Sequence, residues 1–229
     1  MNLNNKVVII TGGTKGFGKS LAIFLKKENC QVIISSDNSE DLENVKQGTT
    51  VDSFLADVTK PEDLTNLAKY VNDKYGRIDV WINNAGIQIA PSLIEDIDIV
   101  KLKRLFDINF FGYFYGCQTA LKYLKQQGSG LIININSTAG LDGKPMISAY
   151  SSSKFAIKGL TESIRKEVGD NINIYAVYPG GMQTDIYQEK IPDDISEYML
   201  VDDVVQKVIS NLKSDNPNLD LIIKRPIVT

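Results

Sequence analysis

Tyr150, Lys154 and Ser137 are the residues whose types and spacing could move a proton in this chain, which contains no histidine. Histidine is the usual side chain for acid–base chemistry near neutral pH. In the stretch YSSSK, Tyr150 and Lys154 stand four residues apart, so a helix would place both on one face. A phenol has an ordinary pKa of about 10, and a nearby cation favours the phenolate and lowers that pKa. The pair could therefore act as acid and base, although the same stretch is also typical of an ordinary helix start.

The glycine-rich stretch TGGTKGFG, residues 11–18, could bind a phosphate group. It follows an apolar run directly and leads into a helical pattern. Gly12, Gly16 and Gly18 lack a Cβ, so they could close a tight turn and let backbone amides approach a pyrophosphate. Their spacing differs from the common G-x-G-x-x-G form, and a tight turn without a ligand is the alternative interpretation.

Two further polar features stand where strands are expected to end. Asp37 follows the second apolar run, at about the distance from the glycines where a dinucleotide-binding fold places an acid for the adenosine ribose. The stretch NNAG, residues 83–86, ends another apolar run. Because the carboxyl ends of parallel strands border one crevice, both features would face the same ligand. Each also has a simpler interpretation, a solvated loop acid and a polar turn.

Short apolar runs alternate with helical patterns and predict the elements that hold these residues. Strands are expected at residues 7–10, 32–35, 51–55, 80–83, 131–136, 174–178 and 221–224. Helices are expected at residues 16–28, 61–75, 97–125, 150–168 and 202–213. This alternation predicts an α/β fold, a doubly wound, Rossmann-type parallel sheet with helices on both faces. No linker divides the chain, so residues 1–229 are expected to form a single dinucleotide-binding and catalytic domain, with 183–200 as its least regular segment.

Composition narrows the function classes. The chain has 229 residues, 43% of them hydrophobic and 23% charged, with a formal net charge of -3. No basic run predicts a nucleic-acid partner, and no apolar run is long enough to predict a membrane span. The N-terminal residues show no signal-peptide pattern, so a cytoplasmic location is expected. Cys30 and Cys117 alone cannot form a metal site, and two free thiols are favoured over a disulfide.

Taken in order, these motifs resemble those of the short-chain dehydrogenase/reductase family, and the resemblance covers essentially the whole chain. Residues 11–18 match T-G-x-x-x-G-x-G, and residues 83–86 match N-N-A-G. Ser137, Tyr150 and Lys154 match the family's serine and its Y-x-x-x-K pair. The remaining matches are Asp57 with the acid at the adenine ring, Asn109 with the helix asparagine that anchors a water near the lysine, and Pro179, Gly180 and Thr184 with P-G-x-x-x-T.

The resemblance implies an NAD(P)-dependent oxidoreductase that transfers a hydride between nicotinamide and a carbonyl or secondary alcohol. Tyr150 would exchange the hydroxyl proton, and Ser137 would orient the substrate oxygen. Lys154 would bind the ribose hydroxyls and lower the tyrosine pKa, while Asn109 would support a proton path to solvent. No metal is implied. There are two departures: Asn136 stands where many relatives carry serine, and the segment after Thr184 is short.

The resemblance also implies which residues line the two ligand sites. The cofactor-binding residues would be Gly12, Thr14, Lys15, Gly16, Phe17, Gly18, Asp37, Asp57, Val58, Asn84, Ala85, Gly86, Tyr150, Lys154, Pro179, Gly180, Met182 and Thr184. The substrate would meet Ile87, Gln88, Ile89, Leu141, Met146, Met182, Ile186 and Tyr187, with Asp142 and Lys144 as further polar candidates. This mostly apolar set favours a hydrophobic or medium-sized small-molecule carbonyl or alcohol without identifying it.

Asp37 and Lys15 indicate opposite cofactors. Asp37 could accept hydrogen bonds from the ribose hydroxyls of NAD and would repel the 2′-phosphate of NADP. A basic residue at the position of Lys15 often contacts that phosphate in the family, although a flexible lysine can turn to solvent or pair with Asp37. No arginine follows the second strand. The sequence therefore predicts NAD(H), with NADP(H) as the alternative.

The apolar content of two helical segments predicts a homotetramer or homodimer. One segment contains FFGYFYG, and the other carries Phe155, Ile157, Leu160 and Ile164, more than one sheet-facing stripe needs. Two alternatives to a dehydrogenase remain on the same fold. One is a non-catalytic dinucleotide-binding sensor or scaffold, and the other is an enzyme for dehydration or epimerisation.

Overall fold

The computed structural model describes residues 1–187 and 189–225, and its strands lie close to the predicted positions. They are β1 (Val7–Thr11), β2 (Gln31–Ser36), β3 (Asp52–Leu55), β4 (Val80–Asn83), β5 (Gly130–Ile135), β6 (Ile172–Pro179) and β7 (Asp220–Ile223). The helices are α1 (Gly16–Lys27), α2 (Ser39–Gly48), α3 (Pro61–Tyr75), α4 (Ile99–Phe106), α5 (Gly112–Gln127), α6 (Ser148–Glu167) and α7 (Val201–Lys213). Gln188 and residues 226–229 of the predicted domain lie outside the described residues.

In the described residues the seven strands form one parallel sheet in the order β3-β2-β1-β4-β5-β6-β7. The chain starts at β1, builds outward to β3, and then returns to build β4 to β7 on the other side. This order reverses between β1 and β4, and such a reversal opens a crevice at the carboxyl ends of the strands. The predicted doubly wound parallel sheet is confirmed.

Alternating strand residues divide the core between the two faces of the sheet. Val8 and Ile10 of β1 pack with buried residues of α1, α2 and α7. Val7 and Ile9 pack on the opposite face with α3, α5 and α6. Cys30 and Cys117 are buried free thiols, one in each cluster. Within the described part of the chain, no helix is both long enough and apolar enough to cross a membrane.

The helix α2 is an element that the sequence analysis did not predict. It is mostly polar and buries only Leu42 and Val45, so its apolar periodicity is too weak to recognise. Its start is set by Asn38, whose side chain accepts hydrogen bonds from the backbone N–H groups of Glu40 and Asp41. Such a cap satisfies amide groups that have no partner inside the helix.

The prediction of one helix over residues 97–125 was wrong in its detail. Asp98 caps α4, and the chain then passes through a π-helical turn, Asp107–Phe111, before α5 begins. A π-helical turn widens the helix by one residue and is frequent at functional sites. No proline marks it in the sequence, and it places Asn109 inside the protein, where the side chain is fully buried.

The second apolar face predicted on α6 contains fewer residues than expected. Ile157 and Ile164 are buried in the protein's own core, so they belong to the sheet-facing stripe. Phe155 is 44% exposed, and the α5 segment adds Phe111 and Phe114 at 43% and 42%. In the FFGYFYG stretch and α6, the large exposed apolar side chains are therefore these three rings.

Candidate active site

A cleft of about 1210 Å³ lies at the carboxyl ends of the strands and collects the predicted site residues. All of them line it except Asn109, which is buried behind its wall. The lining members are Gly12, Thr14, Lys15, Gly16, Phe17, Gly18, Asp37, Asp57, Val58, Asn84, Ala85, Gly86, Ser137, Tyr150, Lys154, Pro179, Gly180, Met182 and Thr184. The described residues hold no group of three or more Cys, Asp or Glu side chains that could bind a metal ion.

The glycine turn between β1 and α1 lines the cleft and has no room for side chains at Gly12 and Gly18. Gly12 has φ +63 and Gly16 has φ +50, backbone conformations that favour glycine. A Cβ on Gly18 would stand 2.4 Å from the Gly12 carbonyl oxygen and 2.4 Å from Asn84 Nδ2. No side chain of the described residues caps α1 at Lys15. The turn therefore leaves backbone amides at a helix N-terminus, an arrangement suited to a pyrophosphate.

Asn84 binds this turn to the end of β4. Its Nδ2 donates to the carbonyl oxygens of Thr11 and Gly12, at 2.9 Å and 2.8 Å. Its backbone N–H donates to Thr11 Oγ1 at 3.0 Å. The NNAG stretch thus supports the glycine turn from the side and brings Ala85 and Gly86 to the cleft wall.

Two carboxylates, Asp37 and Asp41, and two cations, Lys15 and Arg104, lie together in the cleft. Their pairing differs from the prediction. Lys15 Nζ lies 2.8 Å from Asp41 Oδ2, not beside Asp37, and the Asp41 carboxylate raises the pKa of Lys15. Arg104 of α4 approaches Asp37 instead, with 3.9 Å from Nη2 to Oδ2. Asp41 and Arg104 were not among the predicted site residues. Asp41 lies on the unpredicted α2, and Arg104 reaches the cleft from a distant helix, so neither had a local signal.

Asp57, the acid matched to the adenine site, accepts hydrogen bonds from its own loop. The N–H and the hydroxyl of Thr59 donate to Asp57 Oδ1 at 2.9 Å and 2.7 Å. Burial opposes ionisation, but these bonds and nearby Lys60 and Arg104 outweigh it and lower the pKa of the carboxyl group. Asp57 is therefore a charged, oriented acceptor on the cleft wall beside Val58.

Asn109 ties the π-helical turn to the cleft wall and to α6. Its Oδ1 accepts from the Ile87 N–H at 2.9 Å, and its Nδ2 donates to the Ile87 carbonyl oxygen at 2.9 Å. The Nδ2 also donates to Ser153 Oγ at 3.2 Å, and Ser153 in turn donates to the Tyr150 carbonyl oxygen. Asn109 therefore connects three segments around the site without touching the cleft itself.

Tyr150 and Lys154 lie on the first turns of α6 and are both buried, at 8% and 3% exposure. Lys154 Nζ donates to the Ile135 carbonyl oxygen at 3.1 Å and lies 5.6 Å from the centre of the Tyr150 ring. Ser137 follows β5, and its Oγ accepts a hydrogen bond from the Ala139 N–H at 3.1 Å. That bond leaves the Ser137 hydroxyl proton free to donate. The neighbouring Asn136 holds the Ser137 N–H through its side-chain oxygen.

Burial shifts the ionisation of this pair away from the values that the sequence predicted. It raises the pKa of Tyr150 to about 12, although Ser137 acts in the opposite direction. It lowers the pKa of Lys154 to about 7. Desolvation disfavours the charged form of each group. The pKa of Tyr150 is therefore raised, and the predicted lowering of it by Lys154 is not observed. The phenol is accordingly protonated at neutral pH.

Another part of the cleft lining consists of Thr184, Asp185, Ile186, Tyr187, Lys190, Pro192, Asp193 and Tyr198. Burial raises the pKa of Tyr187, and the nearby Tyr150 raises it further. The Tyr187 ring packs edge-on against Tyr198. Glu189 joins this segment to residues before and within α4, because it accepts from the Ala90 N–H at 3.0 Å and pairs with Lys101 at 2.7 Å.

The predicted substrate residues divide between two places. Ile87, Gln88, Leu141, Asp142, Lys144, Met182, Ile186 and Tyr187 line the cleft. Ile89 and Met146 do not, which corrects the prediction. They line a small neighbouring cavity together with Ile147 and Tyr150. Apolar side chains that include Ile87, Ile147 and Ile186 pack around Tyr150.

Comparison with known proteins agrees with this geometry. Residues 6–197 match the family model described as short chain dehydrogenase. The 3-oxoacyl-[acyl-carrier-protein] reductase FabG of Thermotoga maritima is 35% identical over 210 residues, 87% of this chain and 83% of that protein. The D-beta-hydroxybutyrate dehydrogenase of Rhizobium meliloti is 30% identical over 216 residues, 88% of this chain and 83% of that protein.

A solved structure extends the likeness to three dimensions. The structure described as ElxO with NADP bound has a TM-score of 0.86 and 29% identity, and the alignment covers 96% of this chain and 97% of that one. The family model covers most of the chain, and the motif residues gather in one cleft. The chain therefore belongs to the short-chain dehydrogenase/reductase family of oxidoreductases.

Proposed function

We propose that this protein transfers a hydride between a nicotinamide dinucleotide and a carbonyl or secondary alcohol, with Tyr150 as acid and base. One observation carries the proposal: a single cleft is lined by both the glycine turn and the buried Tyr150–Lys154 pair. The bound nicotinamide supplies or accepts the hydride. The membership of an oxidoreductase family and the NADP bound to the ElxO structure support this class of cofactor.

The residues of the cleft fit a dinucleotide. Gly12 and Gly18 let the turn pack directly on Ala85 and Asn84, where a Cβ would come within 2.7 Å and 2.4 Å of neighbouring atoms. The turn and the first amides of α1 would hold the pyrophosphate, and Asp37 the adenosine ribose. Asp57 and Val58 would border the adenine, and Thr184 the nicotinamide end.

The chain's own groups then perform the proton transfer. In the direction of carbonyl reduction, Tyr150 Oη donates a proton to the substrate oxygen, and its raised pKa keeps that proton available at pH 7. Ser137 Oγ donates a hydrogen bond that orients the same oxygen. In the direction of alcohol oxidation, the Tyr150 phenolate would accept the hydroxyl proton of the substrate. Lys154 would favour that phenolate only while it carries its own proton, and burial lowers the pKa of Lys154 to about 7. Asn109 holds the backbone that lies behind the pair.

The charges at the adenosine end favour NAD(H) over NADP(H). Lys15 is paired with Asp41, so the basic residue that would attract a 2′-phosphate is neutralised by a second acid. Asp37 would stand beside the 2′ position and repel that phosphate. Arg104 acts in the opposite direction, since it brings a second cation to Asp37. NADP(H) therefore remains the alternative cofactor.

A medium-sized, mainly apolar carbonyl compound is the substrate class that the cleft favours. The wall near Tyr150 includes Ile87, Ile186 and Tyr187, and polar groups such as Gln88 stand among them. The names of the two curated relatives, a 3-oxoacyl-[acyl-carrier-protein] reductase and a D-beta-hydroxybutyrate dehydrogenase, agree with a carbonyl or alcohol substrate. We further propose that residues 1–229 act as a single domain in a cytoplasmic homotetramer or homodimer.

Turnover tests the proposal. A panel of aliphatic and aromatic ketones is mixed with NADH or NADPH, and oxidation is followed at the nicotinamide absorbance. Activity with at least one ketone is expected. Dinucleotide binding without turnover of any ketone or alcohol would favour a non-catalytic sensor, an interpretation that the dehydrogenase and reductase relatives do not support.

The Tyr150→Phe variant tests the acid–base role. It removes only the phenol oxygen, so turnover should fall by at least about a hundredfold, the low end of what a positioned acid contributes. NADH binding, measured by fluorescence, should change little. A matched control is Tyr123→Phe on α5, because that tyrosine does not line the cleft. A Tyr150→Phe enzyme with most of its original rate would contradict the role.

A further inference from the structure

Tyr113 on α5 lies directly against Lys154 and has no part in the proton transfer described above. The side chain is 1% exposed. Its hydroxyl donates to the Ile135 carbonyl oxygen at 2.7 Å, and Lys154 Nζ donates to the same oxygen at 3.1 Å. Lys154 Nζ also lies 5.2 Å from the centre of the Tyr113 ring. One residue therefore meets the lysine both through its ring and through a shared acceptor.

The two contacts act on the ammonium group in different ways. The ring face of a tyrosine attracts a cation within about 6 Å, and more strongly when water is excluded. A carbonyl oxygen has two acceptor sites, and the Tyr113 hydroxyl and Lys154 can occupy one each. The Tyr113 hydroxyl holds the Ile135 carbonyl oxygen in place. It also competes with Lys154 for the negative potential of that oxygen. Ring and hydroxyl should therefore shift the charge of Lys154 in opposite directions.

The titratable groups facing this position leave the ammonium without a charged partner in the described chain. They are Tyr150 on α6 and Tyr113 on α5, with Cys117 near Tyr113 and Tyr187 near Tyr150. Burial raises the pKa of Tyr150 and of Cys117 to about 12 and raises the pKa values of Tyr113 and Tyr187 further. All four are neutral at pH 7. The Lys154 ammonium is therefore held by neutral dipoles and ring faces.

We propose that Tyr113 is a positioning residue for Lys154, and that its ring and the shared Ile135 carbonyl together determine where the ammonium stands. The consequences for Tyr150 and for the cofactor ribose rest on the proposed function. The contact itself does not. Tyr113 lies within the stretch FFGYFYG, whose phenylalanines Phe111 and Phe114 point to the surface while this tyrosine points inward.

The test uses unfolding of the full chain, with no substrate or cofactor added. Tyr113→Phe and Tyr113→Leu are made in the natural chain and in a Lys154→Met background. The free energy of unfolding in urea is measured from pH 6 to pH 9, below the pH at which an unfolded tyrosine ionises. The pH at which Lys154 titrates should fall by about half a unit or more in Tyr113→Leu, which loses the ring. It should rise in Tyr113→Phe, which keeps the ring and frees the carbonyl oxygen for the ammonium.

Both effects should disappear in the Lys154→Met background, where the Tyr113 substitutions should change stability equally at every pH. Tyr178→Phe is the matched control, because Tyr178 is also fully buried but has Asp220, Arg165 and Glu162 as its charged neighbours. It should not move the titration. The proposal is overturned if Tyr113→Leu leaves the titration unchanged, if both Tyr113 variants shift it equally, or if the shifts persist without Lys154. An inactive enzyme that shows the expected shifts would refute the proposed function and leave this inference standing.

Discussion

At the scale of single residues, the burial of the Lys154 amino group governs the chemistry of the site. The same burial that raises the pKa of Tyr150 lowers the pKa of Lys154 to about 7. The two groups therefore stand as a neutral phenol and a lysine that is readily deprotonated. A ligand that brings charge into the cleft would change both equilibria, so binding and proton transfer are coupled.

Replacing Lys154 by methionine should stabilise the protein most at low pH. The ordinary pKa of 10.5 falls to about 7 in the folded chain. The cost of burying the charge is therefore complete below about pH 7 and fades as pH rises towards about 10.5, because the folded protein releases the proton first. Urea unfolding of Lys154→Met against the natural chain should show a stability gain that shrinks between pH 7 and pH 10.

Lys158→Met is the control for this measurement. Lys158 lies one turn further along α6 and pairs with Glu162 at the surface. Its replacement should change stability by a small amount that varies little between pH 7 and pH 10. A gain for Lys154→Met that does not depend on pH would show that Lys154 has an ordinary pKa in the folded protein.

Cofactor preference also belongs to the residue scale, since Asp37 and its neighbours decide it. The Asp37→Asn variant removes one negative charge beside the 2′ position. The ratio of kcat/KM for NADPH to that for NADH should rise about tenfold, equivalent to about 1.4 kcal/mol. Adding Arg104→Gln to Asp37→Asn should reverse part of this increase in the ratio. The guanidinium of Arg104, which no longer pairs with a carboxylate at position 37, is then removed.

Asp193→Asn is the matched control for this experiment, since Asp193 lines the same cleft on the segment of residues 183–200. The ratio should stay unchanged in this variant. A natural enzyme that prefers NADPH tenfold or more would contradict the assignment of NAD(H). It would mean that Lys15 and Arg104 outweigh Asp37 and Asp41.

At the scale of elements, close packing of α5 on β4 supports the site from below. Asn83 at the end of β4 accepts from Trp81 Nε1 at 2.8 Å and donates to Asn134 Oδ1 at 2.9 Å. The helix α5 passes Trp81 and Asn83 at Gly116, where the lack of a side chain lets the helix backbone come close to both residues. The buried polar chain fixes the end of β4, and the NNAG segment that touches the glycine turn begins there.

Gly116→Ala should therefore destabilise the protein. A Cβ at this position would stand 2.0 Å from Asn83 Oδ1 and 3.0 Å from the Asn83 Cγ. Overpacking of this kind costs about 1–3 kcal/mol, because buried neighbours must shift. Urea unfolding measures the loss.

The control is Gly159→Ala on α6, where a Cβ has no neighbour within 4 Å among the described atoms. An alanine in an exposed helix is favoured over glycine by about 0.8–1.0 kcal/mol, so this variant should be stabilised. A Gly116→Ala protein as stable as the Gly159→Ala protein would show that Asn83 can move aside freely.

At the scale of the whole molecule, the exposed aromatic rings of α5 and α6 are the surface on which a second copy would pack. Phe111, Phe114 and Phe155 are each more than two-fifths exposed. The π-helical turn that contains Phe111 packs against α6, so the three rings belong to neighbouring elements. Association through this surface would bury rings that lie close to Asn109 and the site.

Phe114→Glu should reduce the mass in solution. Light scattering of the natural chain at micromolar concentration should give a dimer or tetramer, and the variant should give the monomer, because a charge would be buried at the centre of the contact. Leu55→Glu is the control, since Leu55 is more exposed but lies at the end of β3. A monomer mass for the natural chain would contradict the proposed assembly.

The seven strands and the meeting of the motifs in one cleft could be predicted from the amino-acid sequence alone. Strand patterns are local, and parallel strands bring their carboxyl ends to one edge, so Ser137, Tyr150 and the glycine turn could be placed together before any contact was known. What the sequence could not determine was the partner of each side chain. The pairs Lys15 with Asp41, Arg104 with Asp37 and Tyr113 with Lys154 join segments far apart in the chain.

The tertiary structure decided these pairings, together with the π-helical turn at residues 107–111 and the polar helix α2. Each depends on how neighbouring elements pack, and no residue in the segment itself carries a signal of it. The same is true of the ionisation of Tyr150 and Lys154. Their spacing of four residues predicts that they meet, but burial sets their pKa values, and burial is a property of the folded molecule.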